Sequence, residues 1–299
     1  MISNRVLMIR PCAFGYNEQT AVNNVFQVAV SGNDISQRAL CEFDELVRLL
    51  ASKGVEVHIV QDTPDPPTPD AIFPNNWISF HEDGHMVLYP MFARNRRAER
   101  KTSVLRYLEQ RFSFFQQIDL SFYEQQDKFL EGTGSMVLDR AAKIAYACRS
   151  PRTHNKVLED FCKRIGYTPC VFDATDQLGR AYYHTNVMMT VTHRLVIICL
   201  DSIQNEADKK RVLSSIEASK KDWLAISQEQ VASFAGNMFE LQGHGARPLL
   251  VMSTRAFTSL TPLQCEQLSR YNDMIHSSLA TIESAGGGSA RCMLTEIPG

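Results

Sequence analysis

The chain has 299 residues, a formal net charge of −2 and 44% hydrophobic residues. That length holds one large domain or two ordinary ones, and the apolar fraction excludes a disordered or fibrous chain. The near-neutral charge argues against a nucleic-acid or membrane-surface protein. No apolar run approaches the ~20 residues of a membrane span. The N-terminal stretch MISNRVLMIRPCAFGYNEQT is too polar for a signal peptide.

Five segments have helical character in chain order: 36–53, 99–112, 155–165, 206–220 and 262–279. In the first, Leu40, Phe43, Leu46, Val47 and Leu50 form one apolar stripe. In the third, Val157, Leu158, Phe161 and Ile165 do the same, and Gly54 and Gly166 stand where C-caps belong. The helix centres lie about 55 to 60 residues apart, which is the spacing of a repeat. Short β-rich runs follow the first four helices: 55–60, 114–120, 169–172 and 223–226. Each leads through a loop into a second segment that opens small or polar and turns apolar. These read PNNWISF (74–80), EGTGSMVLD (131–139), HTNVMMTV (184–191), AGNMFEL (235–241) and ARCMLTEI (290–297). A third strand follows at 85–89, 143–147, 194–200 and 247–252. The repeat therefore reads β–β–β–α, and five such units use up the chain. A circular arrangement fits, because polar capping repeats of a linear solenoid are missing. The Pro/Asp stretch DTPDPPTPD (62–70) is expected as a surface loop near a pocket mouth.

The eight cysteines are Cys12, Cys41, Cys148, Cys162, Cys170, Cys199, Cys265 and Cys292. They form no CxxC pair and no zinc-ligand spacing, so reduced thiols in a cytoplasmic protein are expected. Most read as buried small hydrophobes. Cys292 differs because it follows the run SAGGGSA (284–290), where small residues leave room for a substrate. A thiol of pKa about 8.5 needs a histidine or a positive field to act as a nucleophile. His81 and His85 in HEDGH resemble paired metal ligands, but Asp83-Gly84 reads as a hairpin turn with both histidines solvated. His58, His193, His244 and His276 have no supporting context. His184 opens its second segment, at the place equivalent to Cys292, and Glu131 opens another between small residues. In a ring these segment starts point to one centre, so Cys292, His184 and Glu131 converge as nucleophile, base and orienter.

The set DAIFPNNW, LEGTGSMVLD, CRSPRTHN, YHTNVMMTV and GGGSARCM resembles the guanidino-group modifying enzymes, the amidinotransferase and arginine-deiminase superfamily. The resemblance spans nearly the whole chain in order, and is nearest to the branch of dimethylarginine hydrolases and citrulline-utilisation hydrolases. It implies a five-bladed α/β propeller, the pentein fold, as one catalytic domain over residues 1–299. It also implies covalent thiol chemistry with no cofactor and no metal. On it, Cys292 is the nucleophile, His184 the general acid and base, and Glu131 the carboxylate that grips substrate nitrogens. Phe73, Asn75, Asn76 and Asn186 fall around the substrate group. Arg152 takes the substrate α-carboxylate. Among Arg94, Arg96 and Arg97, Arg97 is preferred as a second cation.

Departures from the family pattern bear on the substrate. Asn76 and Asn186 stand where deiminases carry guanidinium-binding aspartates, and EGTG loses a further acid. A cationic guanidinium prefers carboxylates, whereas an amide both donates to a ureido oxygen and accepts from its N–H groups. The reading is a cysteine-dependent hydrolase of a ureido or guanidino amino acid, with citrulline first. Arginine deiminase, dimethylarginine hydrolase or amidinotransferase activity is the alternative, as is compensation by Asp70 or Asp173. A non-catalytic binding module of the same fold ranks last. The expected partner is a small amino acid, with no nucleic acid or membrane, and a homo-oligomer stays open.

Overall fold

The computed structural model describes residues 2–29, 34–112 and 116–298. Fifteen strands among them form five three-stranded sheets. They are β1 (Arg5–Arg10), β2 (Glu56–Gln61), β3 (Ile78–Phe80), β4 (His85–Leu88), β5 (Gln116–Asp119), β6 (Val137–Asp139), β7 (Ile144–Cys148) and β8 (Thr168–Phe172). The rest are β9 (Met189–Val191), β10 (Leu195–Ile198), β11 (Asp222–Ala225), β12 (Phe239–Leu241), β13 (Leu249–Ser253), β14 (Asp273–Ser277) and β15 (Thr295–Ile297).

Every sheet follows one rule. A short strand pairs antiparallel with a middle strand, which pairs parallel with a third. Parallel neighbours need a crossover connection, and a helix supplies it in each case. The helices are Ile35–Ser52, Thr102–Arg111, Asn155–Ile165, Glu206–Ala218 and Pro262–Ser269. The structural unit is therefore strand–strand–helix–strand, and the strand after each helix belongs to the sheet before it. The remaining sheet joins the two ends of the chain: β15 lies antiparallel to β1, with Leu7 opposite Thr295, and β1 lies parallel to β2.

The fifth expected helix is shorter than its spacing suggested. It stops at Ser269, and Asp273–Ser277 is the strand β14, parallel to β13. A run such as Met274-Ile275 half-buried against a partner strand is a strand signal that helical spacing masked. The expected β-run from 114 to 120 is present from Gln116, and residues 114–115 lie outside the described residues. His81 is not solvated as expected. It is buried, with Nε2 3.0 Å from the Ser79 hydroxyl, which also meets the Tyr89 hydroxyl at 2.6 Å.

The apolar stripes read from sequence face the sheets. Phe43, Leu46 and Leu50 are buried in the first helix, with Ala39 where Leu40 was expected. Val157, Leu158, Phe161, Cys162 and Ile165 are buried in the third. Gly166 ends that helix at φ +75°, the left-handed cap that glycine adopts without strain. No described helix is long and apolar enough to cross a membrane. Phe161 is fully buried, and its ring meets Tyr89, Tyr167 and His81 at 5.7 to 6 Å. Phe161→Ala is expected to cost about 3–5 kcal/mol, read as a lower urea midpoint at unchanged slope.

Candidate active site

The second segments of the repeat do not begin as strands. Four of them open with one tight helical turn before the strand starts: Pro74–Asn76, Gly132–Ser135, Thr185–Val187 and Ala290–Met293. Small and polar residues at these places compete for local hydrogen bonds, which favours turns over sheet. Glu131 and His184 occupy the position just before their turns, and Cys292 lies within the last one. The turns meet one another: Pro74–Asn76 packs against both Gly132–Ser135 and Ala290–Met293, and Gly132–Ser135 packs against Thr185–Val187.

His184 Nε2 lies 2.8 Å from Glu131 Oε2. Glu131 is completely buried, and its second oxygen accepts the Phe92 N–H at 3.0 Å. Arg152 reaches the same carboxylate at 3.3 Å. Burial works against the Glu131 charge, but Arg152 and His184 hold it well below the usual carboxylate range. Burial pushes His184 down to about 4, with Glu131 opposing and Arg152 and Arg96 assisting. The resting imidazole is thus neutral. With the N–H of Nε2 on Glu131, Nδ1 is left as the acceptor. Gly134 makes room for that edge: a Cβ there would stand 2.8 Å from His184 Nδ1 and 2.3 Å from Asn76 Nδ2.

Cys292 is 2% exposed. Its sulfur is met by Asn237 Nδ2 at 3.3 Å and Asn186 Nδ2 at 3.7 Å. Its carbonyl accepts the Asn75 amide at 2.6 Å. Burial raises the thiol above its ordinary value, with backbone, Asn237, Arg291 and Asn186 opposing. Cys292 and His184 line one narrow cleft together with Phe73, Asn76, Asp70, Arg96, Arg152 and Tyr183. Gly286, Gly287 and Gly288 form another wall, packed against Phe73, Phe14 and Asn24. Gly287 takes φ +65°, a conformation side chains disfavour.

The cleft therefore brings together Cys292, His184, Phe73, Asn76 and Arg152 from the sequence-predicted set, with Glu131 directly behind His184. Asn75 and Asn186 sit behind Cys292 instead, where Asn75 Oδ1 accepts Asn186 Nδ2 at 3.3 Å. Arg97 is not brought to the cleft. It packs over Phe129, donates to the Met91 carbonyl and faces Glu124 at 3.6 Å. Its neighbour Arg96 points inward, 2% exposed. Arg96 grips Glu99 through Nε at 2.8 Å and Nη2 at 3.0 Å, and donates through Nη1 to Asn76 Oδ1 at 2.9 Å. Burial raises Glu99 to about 7, against the pull of Arg96. Asp70, at the end of the Pro/Asp loop, lines the cleft, whereas Asp173 is exposed and pairs with Arg149.

Sequence reasoning also missed the cover of the site. Asn17 and Thr20 donate to Asp70 Oδ2 at 2.8 and 3.1 Å, and Arg152 donates to the Thr20 carbonyl and to Asn23. Asn24 donates to the Gly287 carbonyl at 3.3 Å. The cluster of asparagines in this segment was the available signal. Asn237 had a signal too, since it stands in the second segment AGNMFEL. Among the described residues no group of three or more His, Cys, Asp or Glu could hold a metal.

A family model described as eukaryotic N,N-dimethylarginine dimethylhydrolase matches residues 10–298. No curated protein matches significantly. Among solved structures, the substrate-bound N-terminal domain of ArgZ, an arginine dihydrolase from the ornithine-ammonia cycle in cyanobacteria, is similar with TM-score 0.77 and 16% identity. The match covers 98% of each chain. AgrE with L-arginine is similar at TM-score 0.76 and 17% identity, over 99% of this chain and 40% of that one. A dimethylarginine dimethylaminohydrolase adduct with a chloropyridine is similar at TM-score 0.64 and 14% identity, over 99% and 100%. At these identities the structures establish a shared fold.

Burial of Cys292 has a kinetic consequence, because only thiolate is alkylated readily. Iodoacetamide labelling of the Cys292 peptide, followed by mass spectrometry, is expected to climb with pH and to keep climbing past the ordinary thiol value of 9.0. A plateau reached near neutral pH would contradict the resting state described.

Proposed function

We propose that this chain, which belongs to the eukaryotic N,N-dimethylarginine dimethylhydrolase family of C–N hydrolases within the guanidino-modifying superfamily, acts on a ureido rather than a guanidino group and hydrolyses citrulline through a covalent Cys292 intermediate. We also take residues 1–299 as one unit whose five sheets close into a propeller. The observation that carries the substrate choice is the orientation of Asn76. Arg96 is always a donor, so the atom it meets at 2.9 Å must be the amide oxygen. Asn76 Nδ2, which has no hydrogen-bond partner among the described residues, is then the atom offered to the cleft. A guanidinium carries only donors and would set N–H against N–H. A ureido oxygen accepts from Asn76 directly.

The remaining groups suit an amino acid. Asp70 Oδ1 is buried without a partner and suits the α-ammonium. Arg152 supplies positive charge for the α-carboxylate. In the reaction, the thiol proton passes to His184 Nδ1 as sulfur bonds to the ureido carbon. Glu131 steadies the imidazolium, which returns the proton to the leaving nitrogen as its C–N bond breaks. His184 then takes a proton from water as oxygen adds to the same carbon. The C–S bond breaks, the thiol is restored, and the carbamic acid released loses carbon dioxide. Citrulline and water become ornithine, ammonia and carbon dioxide. Proton transfer of this kind contributes roughly 10²–10⁴-fold.

Arginine or a methylarginine is the second reading. It is favoured by the description of the matching family, by the L-arginine bound in AgrE and by the buried carboxylates Asp70 and Glu131. A screen of purified protein against citrulline, arginine, dimethylarginine and agmatine separates the two. Ornithine from citrulline at the highest kcat/KM is expected, and Cys292→Ser is expected to abolish it. Faster turnover of arginine or dimethylarginine would overturn the ureido assignment. In the same assay Asn76→Asp is expected to shift the citrulline-to-arginine ratio of kcat/KM toward arginine by about tenfold or more, since a carboxylate there favours a cation.

A further inference from the structure

Asn237 belongs to none of the sequence motifs that mark the chemistry, yet it touches the sulfur. It is fully buried, in the turn before β12. Four contacts hold its amide, one of them from the Cys292 thiol, whose Sγ lies 3.6 Å from Oδ1 and donates to it while protonated. Oδ1 also accepts the backbone N–H of Arg291 at 3.0 Å, and Nδ2 donates to the Asn186 carbonyl at 2.9 Å and meets Cys292 Sγ at 3.3 Å. The two backbone contacts decide which end of the amide is which. A backbone N–H needs the oxygen and a backbone carbonyl needs the nitrogen, so a flipped amide would lose both. The second N–H of Nδ2 is therefore committed to the sulfur.

We propose that Asn237 is a catalytic residue: its locked amide holds one N–H on Cys292 Sγ, where it binds the thiolate and aims it at the substrate carbon. The proposal rests on Cys292 as the nucleophile, not on the identity of the substrate. A hydrogen bond to a charged acceptor is stronger than one to a neutral acceptor, so the contact strengthens as the thiol ionises. Asn186 Nδ2 is the weaker companion. It lies at 3.7 Å and is drawn away by the Thr133 carbonyl at 3.2 Å. Asn237 thus reaches the sulfur from one turn while its oxygen grips the backbone N–H of Arg291, beside the nucleophile on another. One residue sets both the position and the ionisation of the thiol.

The test is the pH dependence of Cys292 alkylation by iodoacetamide, compared between the native chain, Asn237→Asp and Asn237→Ala. Asp keeps the acceptor for Arg291 and removes the donor, and Ala removes both. The other charged or titratable groups around the thiol, namely Arg291, His184, Tyr183, Arg96, Arg152 and Glu131, are the same in all three; Asp adds a carboxylate whose repulsion also raises the midpoint, so Ala is the deciding comparison. Both variants are expected to move the alkylation midpoint up by about one pH unit or more, a tenfold loss of thiolate at fixed pH below it. In each, kcat/KM falls at neutral pH and recovers in part at alkaline pH. An unchanged midpoint in a variant with the native melting temperature would overturn the proposal. Should neither variant fold, the side-chain amide resonances of Asn237 in the native protein decide the matter. They are expected to titrate with the Cys292 midpoint, and resonances indifferent to it would overturn the proposal. The alkylation midpoint and the amide resonances need no substrate, so a wrong substrate assignment leaves those two results intact.

Discussion

A buried carboxylate must find positive partners, and here Glu131 organises the site through the partners it finds. It is completely buried, pairs its charge with Arg152 and accepts the N–H of the neutral His184. Arg152 in turn holds the Thr20 carbonyl and Asn23, which draws the covering segment over the cleft. Removing one member of such a set leaves an uncompensated charge, at a cost of about 3–5 kcal/mol. The same carboxylate fixes which nitrogen of His184 carries the proton. Orientation of the base, closure of the cover and ionisation of the acid are one electrostatic arrangement.

Around the sulfur the logic changes from charge to amide direction. Asn75, Asn186 and Asn237 all touch Cys292, and Asn76 faces the cleft beside it. An amide offers a donor or an acceptor depending on how it is turned, and buried neighbours decide the turn. Arg96 does so for Asn76, and the Arg291 N–H with the Asn186 carbonyl does so for Asn237. Substituting amides for carboxylates therefore does more than lower the charge. It gives the pocket donors where a carboxylate has none.

Much of this was legible in the sequence. The apolar stripes, the glycine caps and the repeat of about 55 to 60 residues led to the helices and to most strands. The position of Glu131, His184 and Cys292 at equivalent segment starts pointed to their convergence, and the fold brings Cys292 and His184 to one cleft with Glu131 behind the imidazole. What failed was local. Arg96 and Arg97 are adjacent, and only the fold decides which points inward. The turns that open the second segments look like strand starts, because three or four small polar residues carry little periodicity. The short helix before β14 was over-extended, since Met274 and Ile275 continue a helical spacing as readily as they fill a strand. Partition of the repeat into sheets was hidden as well, because pairing is a long-range property that spacing along the chain does not encode.

The pairing of β15 with β1 also sets an order of events. Cys292 lies three residues before β15, so the strand that completes the sheet beside β1 also carries the turn that holds the sulfur. Until β15 docks, β1 lacks its antiparallel neighbour along one edge, a surface prone to pairing with foreign strands. The contact spans nearly the whole sequence, so it is among the slowest to form. Completion of this sheet and placement of Cys292 are then a single step. A chain without residues 290–297 keeps His184 and Arg152 but lacks both Cys292 and the antiparallel partner of β1, so losing the strand and losing the thiol are one event.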